Sequence, residues 1–240
     1  MKIFPAIDIK DKKCVRLVKG DFDNKTEYQM SPIEQAGKYK NHGFKNLHIV
    51  DLDGALIGET VNLDIIQEIV HKFDLKIEVG GGVRNIDSIE KYVDAGVEKV
   101  ILGSAAIKDK NFLKEACKKF PNQIALGLDA KDGYLSVSGW KENSNKLTLD
   151  FLNEVNDYGP SRLIYTDINR DGMKQSPNFD ETSKIADVSN CPVIISGGVS
   201  SIDDVKKAKG LNKNIEGIIV GKAIYDGDIK LEELVKEIDA

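Results

Sequence analysis

The stretch Val79–Ile89, VGGGVRNIDSI, sets three consecutive glycines between a β-branched run and a segment of helical spacing. The phrase returns as ISGGVSSIDDV at 195–205, 116 residues further on. Glycine loses more backbone entropy on ordering than any other residue. A repeated strand–glycines–helix phrase therefore marks a place where the chain turns tightly or approaches something closely.

Working outward, short apolar runs recur at 2–9 (KIFPAIDI), 46–52 (NLHIVDL), 76–79 (KIEV), 99–103 (KVILG), 123–129 (QIALGLD), 162–168 (RLIYTDI), 192–196 (PVIIS) and 217–221 (GIIVG). Most are continuously apolar rather than alternating, as parallel strands covered on both faces are. Helical patterns with start signals lie between them. Ser31-Pro32 supplies a cap and a first-turn proline, and Asn62, Asn85 and Ser201 each precede an amphipathic segment. Gly96 is placed to stop the third helix. Eight strands alternating with helices in 240 residues predict a (β/α)8 barrel, the TIM barrel, with an open doubly wound sheet as the alternative. No linker or composition shift divides the chain, so a single domain over 1–240 is expected.

The repeated phrase belongs to a larger repeat. AIDIKD (6–11) matches GLDAKD (127–132), HIVDLDGA (48–55) resembles LIYTDINRDG (163–172), and VILGSAAI (100–107) matches IIVGKAIY (218–225). The offsets stay between 116 and 121 and the order is kept, which predicts two half-barrels, about 1–122 and 123–240.

Composition narrows the partners. A net charge of −5 without a basic tail argues against nucleic acid or anionic membrane, and no run approaches the roughly 18 apolar residues of a membrane span. Three scattered cysteines fit a reduced cytoplasm, where the chain is expected. His42, His48 and His71 show no ligand spacing, so no metal is expected. His42 and His71 sit on predicted helices as surface residues. His48 leads the second strand, where packing and substrate contact both remain open.

Loops after barrel strands gather at one face, where this fold places its chemistry. Gly80–Gly82 follow the third strand and Gly103-Ser104 the fourth; Gly197-Gly198 follow the seventh and Gly221-Lys222 the eighth. Loops with so little side chain can turn backbone N–H groups toward an anion. One such pair serves equally well as a tight turn, but two neighbouring pairs, each repeated, favour phosphate. The expected ligand is a small molecule with a phosphate at each end. Bulk at Gly82 or Gly198 is expected to raise KM. Between the two sites, Asp8 and Asp129 end the first and fifth strands in the same local phrase, Asp-x-Lys-Asp, as an acid/base pair would. The segment from Lys10 to Met30 is long for a strand-to-helix connection and holds GDFDNKTEY, polar and poor in core residues; it is expected to be a lid, mobile in the free protein and ordered by substrate.

PAIDIKDKKCVRL, GGGVR, ILGSAAI, Gly139-Trp140, YTDINRDGM, SGGVSS and IIVGKAIY together resemble the phosphoribosylformimino aminoimidazole carboxamide ribotide isomerases of histidine biosynthesis, from Met1 to the last helix. The resemblance implies an aldose–ketose isomerase, an intramolecular oxidoreductase that performs an Amadori rearrangement without cofactor or metal. By position it implies Asp129 as general acid and Asp8 as general base. Thr166 and Asp171 would assist and position the substrate. Arg16, Gly20, Arg84 and Trp140 would belong to loops closing over it, the tryptophan able to stack on the imidazole. With Arg170 of YTDINRDGM, three of the four arginines fall in loops of the active face. No obligate protein partner is implied. The sister cyclase of the next step shares the repeat, both aspartates and both phosphate sites but uses ammonia from a glutaminase. The opening AIDI followed by VRLVKG, and the GW pair, favour the isomerase. A second activity on the related isomer of the tryptophan pathway stays open. A non-catalytic phosphosugar-binding barrel is disfavoured by the presence of both aspartates.

Overall fold

Every one of the eight apolar runs is a strand, with bounds within two residues of those expected. A computed structural model of the chain describes residues 1–238. β1 (Lys2–Lys10) leads into an antiparallel hairpin, β2 (Lys13–Val18) and β3 (Asp21–Glu27), then α1 (Pro32–Asn41), β4 (Asn46–Asp51), α2 (Leu52–Ile57), α3 (Leu63–Lys72) and β5 (Lys76–Gly80). There follow α4 (Ile86–Asp94), β6 (Lys99–Leu102), α5 (Ser104–Lys108), α6 (Lys110–Lys119) and β7 (Ile124–Lys131), which carries a second hairpin, β8 (Tyr134–Val137) and β9 (Glu142–Leu147). The remainder is α7 (Thr148–Val155), β10 (Arg162–Asp167), α8 (Phe179–Val188), β11 (Val193–Ser196), α9 (Ile202–Lys209), β12 (Ile215–Val220), α10 (Lys222–Tyr225) and α11 (Leu231–Val235).

Parallel pairing runs β1–β4–β5–β6–β7–β10–β11–β12 and returns to β1, so the sheet is a closed eight-stranded TIM barrel and not an open one. In that ring β1 and β7 stand opposite each other. Strand side chains alternate. Phe4, Ala6, Ala125, Ile164, Ile194 and Ile219 form an inner cluster. Ile3, Ile7, Ile9, Leu47, Ile49, Leu126 and Leu128 join the larger core under the helices. The same alternation carries Asp8 inward after Phe4 and Ala6, and Asp129 inward after Ala125 and Gly127. None of the helices among the described residues is long and apolar enough to cross a membrane.

Helix starts follow the sequence in three places and depart from it in one. Ser31 and Glu34 form a reciprocal capping box, the Asn85 side chain accepts from Ser88 N, and the Asp204 carboxylate accepts from Ser200 N and Ser201 N. Asn62 precedes α3 but its Oδ1 does not cap it; the side chain is instead held by its Nδ2, which donates to the Asp51 and Asp53 carboxylates at 2.7 and 2.9 Å.

The 10–30 segment also differs from expectation. It is a hairpin hydrogen-bonded to β1, with Cys14, Val15 and Leu17 buried and a small cluster joining Val15 and Leu17 to Leu52. Only its outer strand, DFDNKTE, is polar and largely exposed. The root is therefore part of the packed structure, and the polar stretch poor in core residues is confined to the outer strand.

Candidate active site

At the ends of the barrel strands lies a cavity of about 980 Å³. All of the residues singled out as site candidates line it: Asp8, Arg16, Gly20, His48, Gly82, Arg84, Gly103, Ser104, Asp129, Trp140, Thr166, Asp171, Gly197, Gly198, Gly221 and Lys222. Arg16, Gly20 and Trp140 come from the two hairpins and the others from all eight barrel strands and the loops that follow them, so inward alternation and strand-end loops together account for their convergence.

The two strand-end aspartates sit in different surroundings. Asp8 accepts from Arg16 Nη1 at 2.8 Å, while Arg16 Nη2 donates to Ala6 O at 2.6 Å. The guanidinium lies 5.2 Å over the Tyr225 ring and so close to Gly221 that a Cβ there would fall 2.7 Å from Arg16 Cζ. Asp129 faces it from the opposite strand and accepts from Trp140 Nε1 at 2.8 Å. Burial pushes the Asp129 carboxyl above its usual range, against hydrogen bonds from Trp140 and Thr166. Thr166 is the direct neighbour of Asp129 across β7 and β10.

A third carboxyl completes the group. Burial first, and then the negative charge of Asp8, push Asp171 up to about 7. The sign of its effect on stability follows. The unfolded chain releases this proton near the ordinary aspartate value while the folded chain keeps it, so stability falls as pH rises from about 4 to about 7 and levels off above. Three units correspond to about 4 kcal/mol, which partial exposure to the cavity trims to about 2. Asp171→Asn should therefore match the wild type near pH 4 and exceed it by about 2 kcal/mol near pH 8 in denaturant titrations. An equal difference at both pH values would show that Asp171 is not the group responsible.

Three features of the rim were not anticipated from the sequence. Trp140 spends its indole N–H on Asp129, and its ring lies against Gly20, where a Cβ would come 2.4 Å from Cε3; it bridges the two hairpins across the mouth. Arg170 is not at the cavity: its Nη1 donates to Ser176 O at 2.9 Å and braces the β10–α8 loop from within. The glycine pairs have a structural cause beyond any ligand. Gly82 has φ +76°, and a Cβ on it would lie 2.0 Å from Gly54 O. Gly198 has φ +90°, and a Cβ on it would lie 2.6 Å from Ser176 O. Each loop rests on the backbone of the loop before it, so bulk at these positions disrupts folding rather than chiefly raising KM.

Lys222 donates to Gly172 O at 3.1 Å, and Arg84 to Ala55 O at 3.1 Å. Sequence reasoning passed over Glu78 and Arg162, which lie inside the barrel beneath His48. A signal was present: each is a charge on a barrel strand at an inward position, Glu78 two residues before Gly80 and Arg162 two before Ile164. Lys174 was also missed; it lines the cavity and pairs with Asp226 and Asp228 at 2.8 and 2.6 Å.

Comparison with known proteins accords with this geometry. The family described as histidine biosynthesis protein matches residues 2–230. A relative from Pelagibacter ubique, 1-(5-phosphoribosyl)-5-((5-phosphoribosylamino)methylideneamino) imidazole-4-carboxamide isomerase, is 88% identical over 240 residues, all of both chains. Proteins of the same name from Oceanobacillus iheyensis and Clostridium acetobutylicum are 44% and 46% identical, covering all of this chain and 100% and 99% of theirs. All three carry the isomerase name and not that of the cyclase. The chain belongs to the histidine biosynthesis protein family, among its phosphoribosylformimino aminoimidazole carboxamide ribotide isomerases.

Proposed function

We propose that this chain converts the bisphosphorylated aminoaldose of its relatives' name into the aminoketose by an Amadori rearrangement in which Asp129 is the acid and Asp8 the base. The observation that carries the reading is the contrast between two carboxylates from opposite strands of one cavity. Asp129 is buried and held above its usual range, the direction that suits a group giving up a proton. Asp8 meets the Arg16 guanidinium at 2.8 Å, surroundings suited to a carboxylate that takes one.

Asp129 protonates the furanose ring oxygen, the bond from that oxygen to the anomeric carbon breaks, and the nitrogen lone pair forms the Schiff base. Asp8 then removes the proton from the neighbouring sugar carbon; the electron pair moves toward nitrogen and gives an enolamine. Tautomerisation to the ketone yields the ketose, and no atom is gained or lost. Thr166 and Asp171 flank the reacting region. The loops at Gly82 and Gly103 on one side, and at Gly198 and Gly221 on the other, line the same cavity and would each receive a phosphate through backbone N–H groups. Remote phosphate binding energy then positions the reacting centre. The work needs neither cofactor nor obligate partner, and the buried, unpaired state of Cys14, Cys117 and Cys191 suits a cytoplasmic enzyme.

The deciding assay incubates purified protein with the aminoaldose bisphosphate, without ammonia or glutaminase. Formation of the ketose is expected. Turnover that requires ammonia and yields imidazole glycerol phosphate would assign the cyclase reaction instead.

A further inference from the structure

Beneath the cavity the barrel interior holds a row of charges that the acid–base steps do not use. His48 Nδ1 lies 2.8 Å from Glu78 Oε1, and the other oxygen of Glu78 accepts from Arg162 Nη1 at 2.7 Å. Arg162 Nε continues the row to Glu216, and Lys2 meets Glu216 at the opposite end of the barrel. The Arg162 guanidinium also lies 5.1 Å over the Phe4 ring. The side chains of Glu78 and Arg162 are 1% and 3% exposed. Burying such a pair carries a large desolvation penalty, and apolar residues of similar volume commonly serve stability as well or better. Packing alone does not account for it.

The strand register explains how Glu78 reaches the active site. His48 and Glu78 are direct partners across β4 and β5, on inward-facing positions. A carboxylate salt-bridged to an arginine offers only acceptors. The bond to His48 therefore uses the proton of Nδ1–H, and the second ring nitrogen remains on the cavity side. We propose that Glu78, backed by Arg162, is a positioning residue that holds His48 in the Nδ1–H tautomer, so that Nε2 accepts a hydrogen bond from a sugar hydroxyl of the substrate. The glycine loops offer donors to phosphate; His48 offers an acceptor between them. The substrate side of this inference rests on the isomerase reading above, whereas the tautomer does not.

NMR correlation of ring nitrogens with ring protons in protein carrying isotope-labelled histidine tests it directly. The chain has three histidines, so the His48 signals are identified by their loss in His48→Asn. At about pH 8 the wild type should show His48 with Nδ1 protonated and Nε2 bare. In Glu78→Gln the amide can donate to Nδ1, so the ring should shift toward the Nε2–H tautomer. kcat/KM should then fall about tenfold, the scale of one misdirected hydrogen bond. Glu216→Gln, a charge loss on the far side of Arg162, should leave the His48 spectrum unchanged. An Nε2–H tautomer in the wild type overturns the proposal, as does a Glu78→Gln variant with wild-type spectrum and kinetics. If Glu78→Gln does not fold, the wild-type spectrum decides alone. Absence of turnover in the wild type would count against the isomerase reading and leave the tautomer measurement standing.

Discussion

Replacing Asp129 or Asp8 by asparagine is expected to lower kcat by at least about 10² and as much as 10⁴, with KM little changed, because the lost interactions belong to proton transfer. The two variants should differ in kind. Asp129→Asn should stall before ring opening, since no acid reaches the ring oxygen. Asp8→Asn should still open the ring and fail at carbon deprotonation. Deuterium at that carbon would report the difference through a primary isotope effect wherever abstraction limits the rate. Stability should separate them as well. Asp8→Asn removes the carboxylate partner of a guanidinium that is only 11% exposed, at a cost of about 3 kcal/mol. Asp129→Asn removes a carboxyl whose charged form burial opposes, and should not destabilise at neutral pH. Near-normal turnover in either variant would take that residue out of the mechanism.

Gly82→Ala is expected to cost more than about 3 kcal/mol or to prevent folding, because a positive φ and a backbone collision add. With its Cβ built 2.0 Å from Gly54 O, relief requires movement of main chain in the neighbouring loop and not of a flexible side chain. Gly103→Ala is the informative contrast. It lines the same cavity, but its φ is −108° and the nearest atom to an added Cβ is Gly127 O at 4.0 Å. With no backbone collision to relieve, it should lose less stability than Gly82→Ala and show its effect in KM, if a phosphate approaches that backbone. Denaturant unfolding beside steady-state kinetics measures both. Wild-type stability in Gly82→Ala would refute the packing explanation of the glycine pair.

That contrast also marks the limit of what could be read from the chain. The barrel was legible because strands buried on both faces, such as PVIIS and GIIVG, must be apolar throughout, and because helix caps such as Ser31-Pro32 carry their own chemistry. Asp8 and Asp129 were legible as strand-end carboxylates in matching phrases. The hairpins were not: DFDNKTE and ENSNKL are polar edge strands with mostly exposed side chains, so no alternation betrays them. Glu78 and Arg162 were hidden for the opposite reason, since a charge inside a barrel is explained only by partners from other strands. Asn62 looked like a cap, and the carboxylates it actually serves, Asp51 and Asp53, became evident only in three dimensions.

The dependence of each glycine loop on its predecessor has a consequence for protein engineering. Gly81 and Gly82 lie against Asp51 and Gly54, and Gly197 and Gly198 against Asp167 and Ser176. A recombination experiment that transplants the β5–α4 loop from a relative while keeping the resident connection from β4 to α3, which contains α2, sets a foreign backbone against contours it was not selected to meet. The smallest exchangeable cassette in this barrel is the adjacent pair, the β4–α3 connection with the β5–α4 loop, or the β10–α8 loop with the β11–α9 loop. Chimaeras cut between the members of a pair should be poorly soluble where those cut outside it are not.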